Sequence, residues 1–324
     1  MAYTKSGIYI PKNVVVIASS FEGIVNDGAT ECALTSLNAY HNQNPDAFLG
    51  RKIDSKEFSE NYIGSTEVKA FLALRPMVAV AEDYHTVLEM IRQNQEKASM
   101  LVDDKNNVEL YSFFEEEFKR IKERTKEERD VFGKAKEGFF YKERKALQEA
   151  DYDAWNNTQK PYDDTLPQFR LLVDTQQWME GLPIRGFYPR FATSKDEDST
   201  HKLCILYTKV QKLEPGDTEG NRCLIPRDGI IGIETVPSKK KSEQLAVLAN
   251  RFGIPRDQVW RLNDRYDINE QEELKNAGFE NQFFLPGYTT PHEIEKVKTD
   301  SMIRLLDRNN FAKQLSDFAE KLGL

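Results

Sequence analysis

Short runs of consecutive apolar residues recur along the chain, and between them the apolar positions fall at helical spacing. Five runs have the length and the Val, Ile or Phe content of strands: Val14 to Ala18, Leu203 to Tyr207, Ile230 to Glu234, Val259 to Leu262 and Gln282 to Leu285. A strand that is apolar without alternation belongs in a sheet covered on both faces. In "SEQLAVLANRFGIP", Leu245, Leu248, Ala249 and Phe252 lie on one helical face, and Gly253 and Pro255 stop the helix. "NEQEELKNAGF" is a shorter helix, with Asn269 as its expected cap, Asp267 as the alternative, and Gly278 as its end. This β-α-β-α-β rhythm predicts a doubly wound α/β domain with a parallel sheet.

From Gly28 to about Arg185 the pattern is mostly helical. Leu110, Phe114, Phe118 and Ile121 form one stripe, with dense charges on the other faces. One or two further helices precede it, broken near Pro76, and "NNTQKPYDDTLPQ" is turn-rich. The expected organisation is therefore an α/β core from residues 1–27 and 186–324. A helical insertion at 28–185 is expected to sit over the carboxyl ends of the strands. Helices of this kind close over a substrate or dock a protein partner.

The 324 residues suffice for two domains, and 39% apolar and 30% charged residues suit a globular chain. Lys plus Arg number 45 and Asp plus Glu 53, a formal net charge of -8, which argues against general nucleic-acid binding. Cys32, Cys204 and Cys223 are widely spaced and form no CxxC, so neither a disulfide framework nor a zinc ribbon is expected, and a reducing, cytoplasmic setting fits. His41, His85, His201 and His292 lack metal-ligand spacing. No signal peptide and no membrane span is read.

Open α/β sheets bind ligands beyond the carboxyl ends of their strands. Three such ends carry candidate chemistry: Ser20, Glu22 and Gly23; Thr208 and Lys209; Asn263, Asp264 and Asp267. A lysine run, Lys239 to Lys241, opens the helix before the last of them. A hydroxyl, an ammonium and carboxylates around one crevice make a phosphate and metal site on physical grounds.

In these residues the sequence resembles the haloacid dehalogenase-like superfamily. Its first motif, Asp-x-Asp-Gly-Thr/Val, corresponds to Ser20-Phe21-Glu22-Gly23-Ile24. Its second, a Thr or Ser closing an apolar strand, corresponds to Thr208. Its third, a lysine opening a helix, corresponds to Lys241, with Lys240 as the alternative. Its fourth, an acidic cluster after a strand, corresponds to Asp264 and Asp267. The resemblance implies a Rossmannoid core with parallel sheet, an inserted helical cap of the C1 type, and a magnesium-dependent phosphohydrolase. In the family the first aspartate attacks phosphorus and the second serves as general acid and base. The Gly23, Thr208 and Lys241 positions hold the phosphoryl group, and the final acids, here Asp264 and Asp267, hold magnesium.

The chain departs from that pattern where the reaction begins. Ser20 replaces the nucleophile, and a serine hydroxyl is a weak nucleophile without a base beside it. Glu22 keeps a carboxyl but adds a methylene, and a displacement of about 1 Å costs roughly 100-fold in rate. On charge count alone, Ser20→Asp raises magnesium affinity. The expected function is a module that binds a small phosphorylated molecule or a protein partner and lacks standard phosphatase activity. A hydrolase with a nonstandard nucleophile, and a structural subunit of a larger assembly, stand as alternatives.

Overall fold

The computed structural model describes residues 2–48, 50–104, 107–134, 137–180, 182–193, 195–209, 223–238 and 240–324. The chain divides into two compact units. An α/β unit comprises Met1–Asn26, Pro161–Gly287 and Glu293–Leu324, and a helical unit comprises Asp27–Lys160 with Tyr288–His292. Residues 161–185, assigned to the insertion from sequence, thus fall in the α/β unit.

The strands of the main sheet are β1 (Val14–Ser19), β2 (Gln177–Met179), β3 (Leu182–Ala192), β4 (Ile230–Ile231), β5 (Val259–Asn263), β6 (Gln282–Phe284) and β7 (Ile303–Leu305). Their order is β7-β6-β5-β1-β3-β2, with β4 also paired to β3. All pairings are parallel except that of β2 with β3. Central β1 is buried along its whole length. Val15 and Ile17 face one core with Phe187, Phe191, Trp260 and Leu262. Val14, Val16 and Ala18 face the other with Tyr188, Ala192 and Val259. The first core is covered by the helices Thr165–Val173, Glu197–Lys209 and Phe311–Lys321, through Phe169, Leu203 and Leu315. The second is covered by Lys241–Phe252 and Ile268–Asn276, through Leu245, Leu248 and Leu274. Covering on both sides is why β1 tolerates no polar alternation.

Three local expectations need correction. Leu203 to Tyr207 is not a strand but part of the helix Glu197–Lys209. A short apolar run does not distinguish the two by periodicity. Here Leu203, Cys204 and Tyr207 are buried while Ile205 is 38% exposed, the footprint of a helix with one face covered. The strand next to β1 is instead β3, in "LPIRGFYPRFA", where Pro189 and Arg190 interrupt the apolar run. Proline belongs where no ladder bond is required of it. Pro189 lies between the residues of β3 that pair with β2, at 182–185, and those that pair with β4, at 191–192. The run at Ile230 is a strand only to Ile231, because Gly232 and Thr235 turn their N–H groups onto the Glu197 carboxylate. The second short helix is capped by Asp267, which accepts from the N–H of Asn269 and of Glu270; Asn269 itself is in the first turn.

The helical unit has a core of its own. Phe114 and Ile121 of the expected stripe are fully buried with Phe71, Leu88, Phe132 and Trp155, and Leu110 and Phe118 pack at its margin. Two buried carboxylates in it are paired: Asp83 with Arg129 at 2.8 Å and Lys122 at 2.9 Å, and Glu31 with Arg144 at 2.7 Å. The expected break at Pro76 is a tight helical turn over Arg75–Met77.

Candidate functional site

Strand register brings the candidate groups to one edge of the sheet. Ser19 at the end of β1 pairs with Phe191 of β3 and with Leu262 of β5. The residues that follow, Ser20, Thr193 and Asp264, therefore emerge at the carboxyl ends of three adjacent strands, where such sheets bind ligands. All the groups described next belong to the α/β unit.

After β1 the chain turns at once. Val25 and Asn26 both donate their N–H to the Phe21 carbonyl, and Gly23 donates to Asn26. Gly23 adopts φ +79, and a Cβ placed on it lies 2.0 Å from Oδ2 of Asp264. A Cβ on Gly287 lies 2.2 Å from the Gly23 carbonyl oxygen and 3.0 Å from Cβ of Asp264. Two glycines thus let both loops close upon one carboxylate. Arg308 fastens the same loops: it donates to the carbonyls of Gly23 and Pro286 and pairs with Asp164 at 2.7 Å. That guanidinium holds the Asp164 carboxyl below its ordinary range.

Ser20 is tied to β5. Its Oγ donates to Oδ1 of Asn263 at 3.2 Å and accepts from Arg261 at 3.0 Å. Arg261 is 2% exposed, and all three guanidinium nitrogens are engaged. Nε reaches Glu270 at 3.3 Å, one terminal nitrogen reaches the Ala18 and Leu262 carbonyls, and the other reaches Ser20 and Asn263. Asn263 in turn donates to Glu270 at 3.1 Å. Glu22 accepts from Lys195 at 2.8 Å and from the Asn26 amide at 3.0 Å.

Lys241 begins its helix and turns its ammonium inward, onto the Ala192 carbonyl and the Gln244 amide oxygen, each at 2.9 Å. Gln244 also donates to the Thr193 carbonyl, which binds this helix to the end of β3. Burial, reinforced by nearby Arg261, pulls the Lys241 ammonium down to about 7, against smaller opposing effects of Glu270 and Asp264. Lys240, the alternative, is exposed, and Lys239 lies outside the described residues.

The structure therefore gathers Ser20, Glu22, Gly23, Lys241 and Asp264 at one sheet edge. It does not bring Thr208 there as a strand-end hydroxyl. Thr208 is in a helix, and its Oγ donates to the Cys204 carbonyl one turn back. The residue that follows the strand beside β1 is Thr193, and Lys195 comes two positions later. Asp267 is exposed and spends its carboxylate on the cap of Ile268–Asn276. Sequence reasoning passed over Thr193, Lys195 and Arg261. The available signals were the polar "TSK" after an aromatic run and an arginine inside the apolar "VWRLN".

At the two first-motif positions, Ser20 and Glu22, the donors do not fit the magnesium ion that the resemblance implies. Magnesium requires near-octahedral oxygen ligands, commonly with one or two carboxylates. Glu22 is committed to a lysine and an amide, and Ser20 offers a neutral hydroxyl already held by a guanidinium. Among the described residues no three His, Cys, Asp or Glu side chains are grouped to hold a metal ion.

No family model matches the sequence, and no curated protein matches it. In three dimensions the chain is similar to a protein from Clostridium acetobutylicum described as a predicted phosphatase. The likeness covers 96% of this chain and 99% of that one, at 12% identity and a TM-score of 0.50. It is also similar to a haloacid dehalogenase-like family hydrolase from Streptococcus pneumoniae, over 93% of this chain and 98% of that one, at 8% identity and a TM-score of 0.47. The likeness is one of fold: an α/β unit with a largely parallel sheet, and a helical unit inserted in the chain after its first long strand. Among the described residues no helix is long and apolar enough to cross a membrane.

Proposed function

We propose that this haloacid dehalogenase-like chain does not run the aspartyl-phosphate reaction and instead binds a small phosphorylated molecule at the strand ends of its α/β unit. The pair of contacts on Ser20 carries this reading. Its proton is directed at an amide oxygen, which is no base, and its lone pair is taken by a guanidinium. A nucleophilic serine needs the opposite arrangement, with a base receiving the proton. Glu22 sits in an ion pair with Lys195, which suits holding charge better than cycling a proton. Lys195 and Lys241 are ammonium groups of the kind that hold phosphoryl oxygens, and the phosphatase description of a structural neighbour favours the same ligand chemistry.

One observation favours the alternative of an active hydrolase. A lysine titrating at about 7 exchanges a proton near neutrality, as a general base must. The test is release of inorganic phosphate from a panel of phosphomonoesters by the natural chain and by Glu22→Ala. Equal background rates are expected, and turnover well above the variant overturns the reading. Calorimetry with inorganic phosphate supplies the binding arm. Uptake that weakens by at least about tenfold in Lys195→Met is expected, because a charge-assisted contact is removed. No uptake by the natural chain counts against a phosphate ligand.

A further inference from the structure

Arg261 is a charged side chain in the buried strand β5, set between Trp260 and Leu262. Burying a cation is costly unless every donor is met and a countercharge is near. Here each nitrogen has an acceptor, but only one contact, to Glu270 at 3.3 Å, is to a carboxylate. The rest are to neutral oxygens: the Ala18 and Leu262 carbonyls, the Asn263 amide and the Ser20 hydroxyl. The guanidinium thus meets Ser20, the residue that follows β1, and on that side its contacts are to neutral oxygens.

We propose that Arg261 is the resident cation of this site, fixed in the chain itself, and that the site holds an anionic ligand without a divalent metal. This rests on the reading of the strand ends as an anion site. It accounts for the neutral residue at position 20. A carboxylate there, one hydrogen bond from the guanidinium, would be captured in an ion pair with Arg261 and closed to other partners. It also reverses the expectation from charge count, because adding a carboxylate at position 20 adds a partner for Arg261 before it adds a ligand for magnesium. Serine and arginine at these two positions are one arrangement, and each explains the other.

The test is magnesium titration by calorimetry of the natural chain, Ser20→Asp, and the double variant Ser20→Asp with Arg261→Met. Near-ultraviolet circular dichroism of each confirms the fold. The natural chain and Ser20→Asp are expected to take up no magnesium at millimolar concentrations. The double variant is expected to bind it at least about tenfold more tightly than Ser20→Asp, since the competing cation is gone and the carboxylate is released. Magnesium uptake by the natural chain overturns the proposal, and so does Ser20→Asp alone gaining the affinity of the double variant. If Arg261→Met does not fold, the first two proteins still decide, since uptake by either refutes it and uptake by neither supports it. Phosphomonoester turnover in chelator would defeat the proposed function and leave Arg261 as the cation; magnesium uptake by the natural chain would do the reverse.

Discussion

Gly23 and Asp264 show how little room the loop after β1 leaves. The glycine takes a left-handed backbone, and a methyl group on it would stand inside the carboxylate that faces it. Gly23→Ala combines an unfavourable backbone with a clash against a side chain that Gly287 hems in from the other side. It is expected to cost at least about 2 kcal/mol, read by urea denaturation. A loss within about 0.5 kcal/mol, the range of an unconstrained surface change, would mean that the two loops are not closed on Asp264. At this scale the glycine, Ser20 and Glu22 were readable because they directly follow the uninterrupted apolar run Val14 to Ala18. Lys195 and Arg261 were not. Lys195 follows a strand disguised by Pro189, and Arg261 looks in sequence like a lapse in an apolar run.

Among the elements, the helix Glu197–Lys209 is the instructive one. Read as a strand, its apolar run would put Leu203, Ile205 and Tyr207 on one face. In the helix Leu203 is fully buried and Ile205 points outward. Leu203→Ala is therefore expected to cost about 3 kcal/mol, as the loss of a buried leucine in a well-packed core does. Ile205→Ala should stay within about 0.5 kcal/mol. Equal losses for the two, measured by denaturant melts, would restore the strand and return Thr208 to the sheet edge. The error had a physical source. The strand Leu182–Ala192 carries two arginines, a glycine and two prolines, so its apolar content is spread over eleven residues, while the helix concentrates its own in five.

Over the whole molecule the buried lysine couples the site to stability. The unfolded chain holds a proton on Lys241 up to its ordinary 10.5, whereas the folded chain releases it at about 7. Between those values the unfolded state binds more protons, so this group's contribution to stability improves as pH rises through the window and is poorest below 7. Lys241→Met should flatten that dependence, seen in urea midpoints between pH 7 and 10. An unchanged slope would show that the ammonium is not held in a desolvated place. The alternation of apolar runs and helical patterns, the helical block inserted after the first strand, the residues of the first motif and Asp264 were present in the one-dimensional pattern, because each depends on neighbours in the chain. Which strand lies beside β1, where the insertion ends and what charge stands behind Ser20 were decided only by the tertiary structure. Those features join residues more than a hundred positions apart, such as Arg261 with Ala18 and Ser20. A buried cation is tolerable only once the sheet has brought those distant oxygens around it.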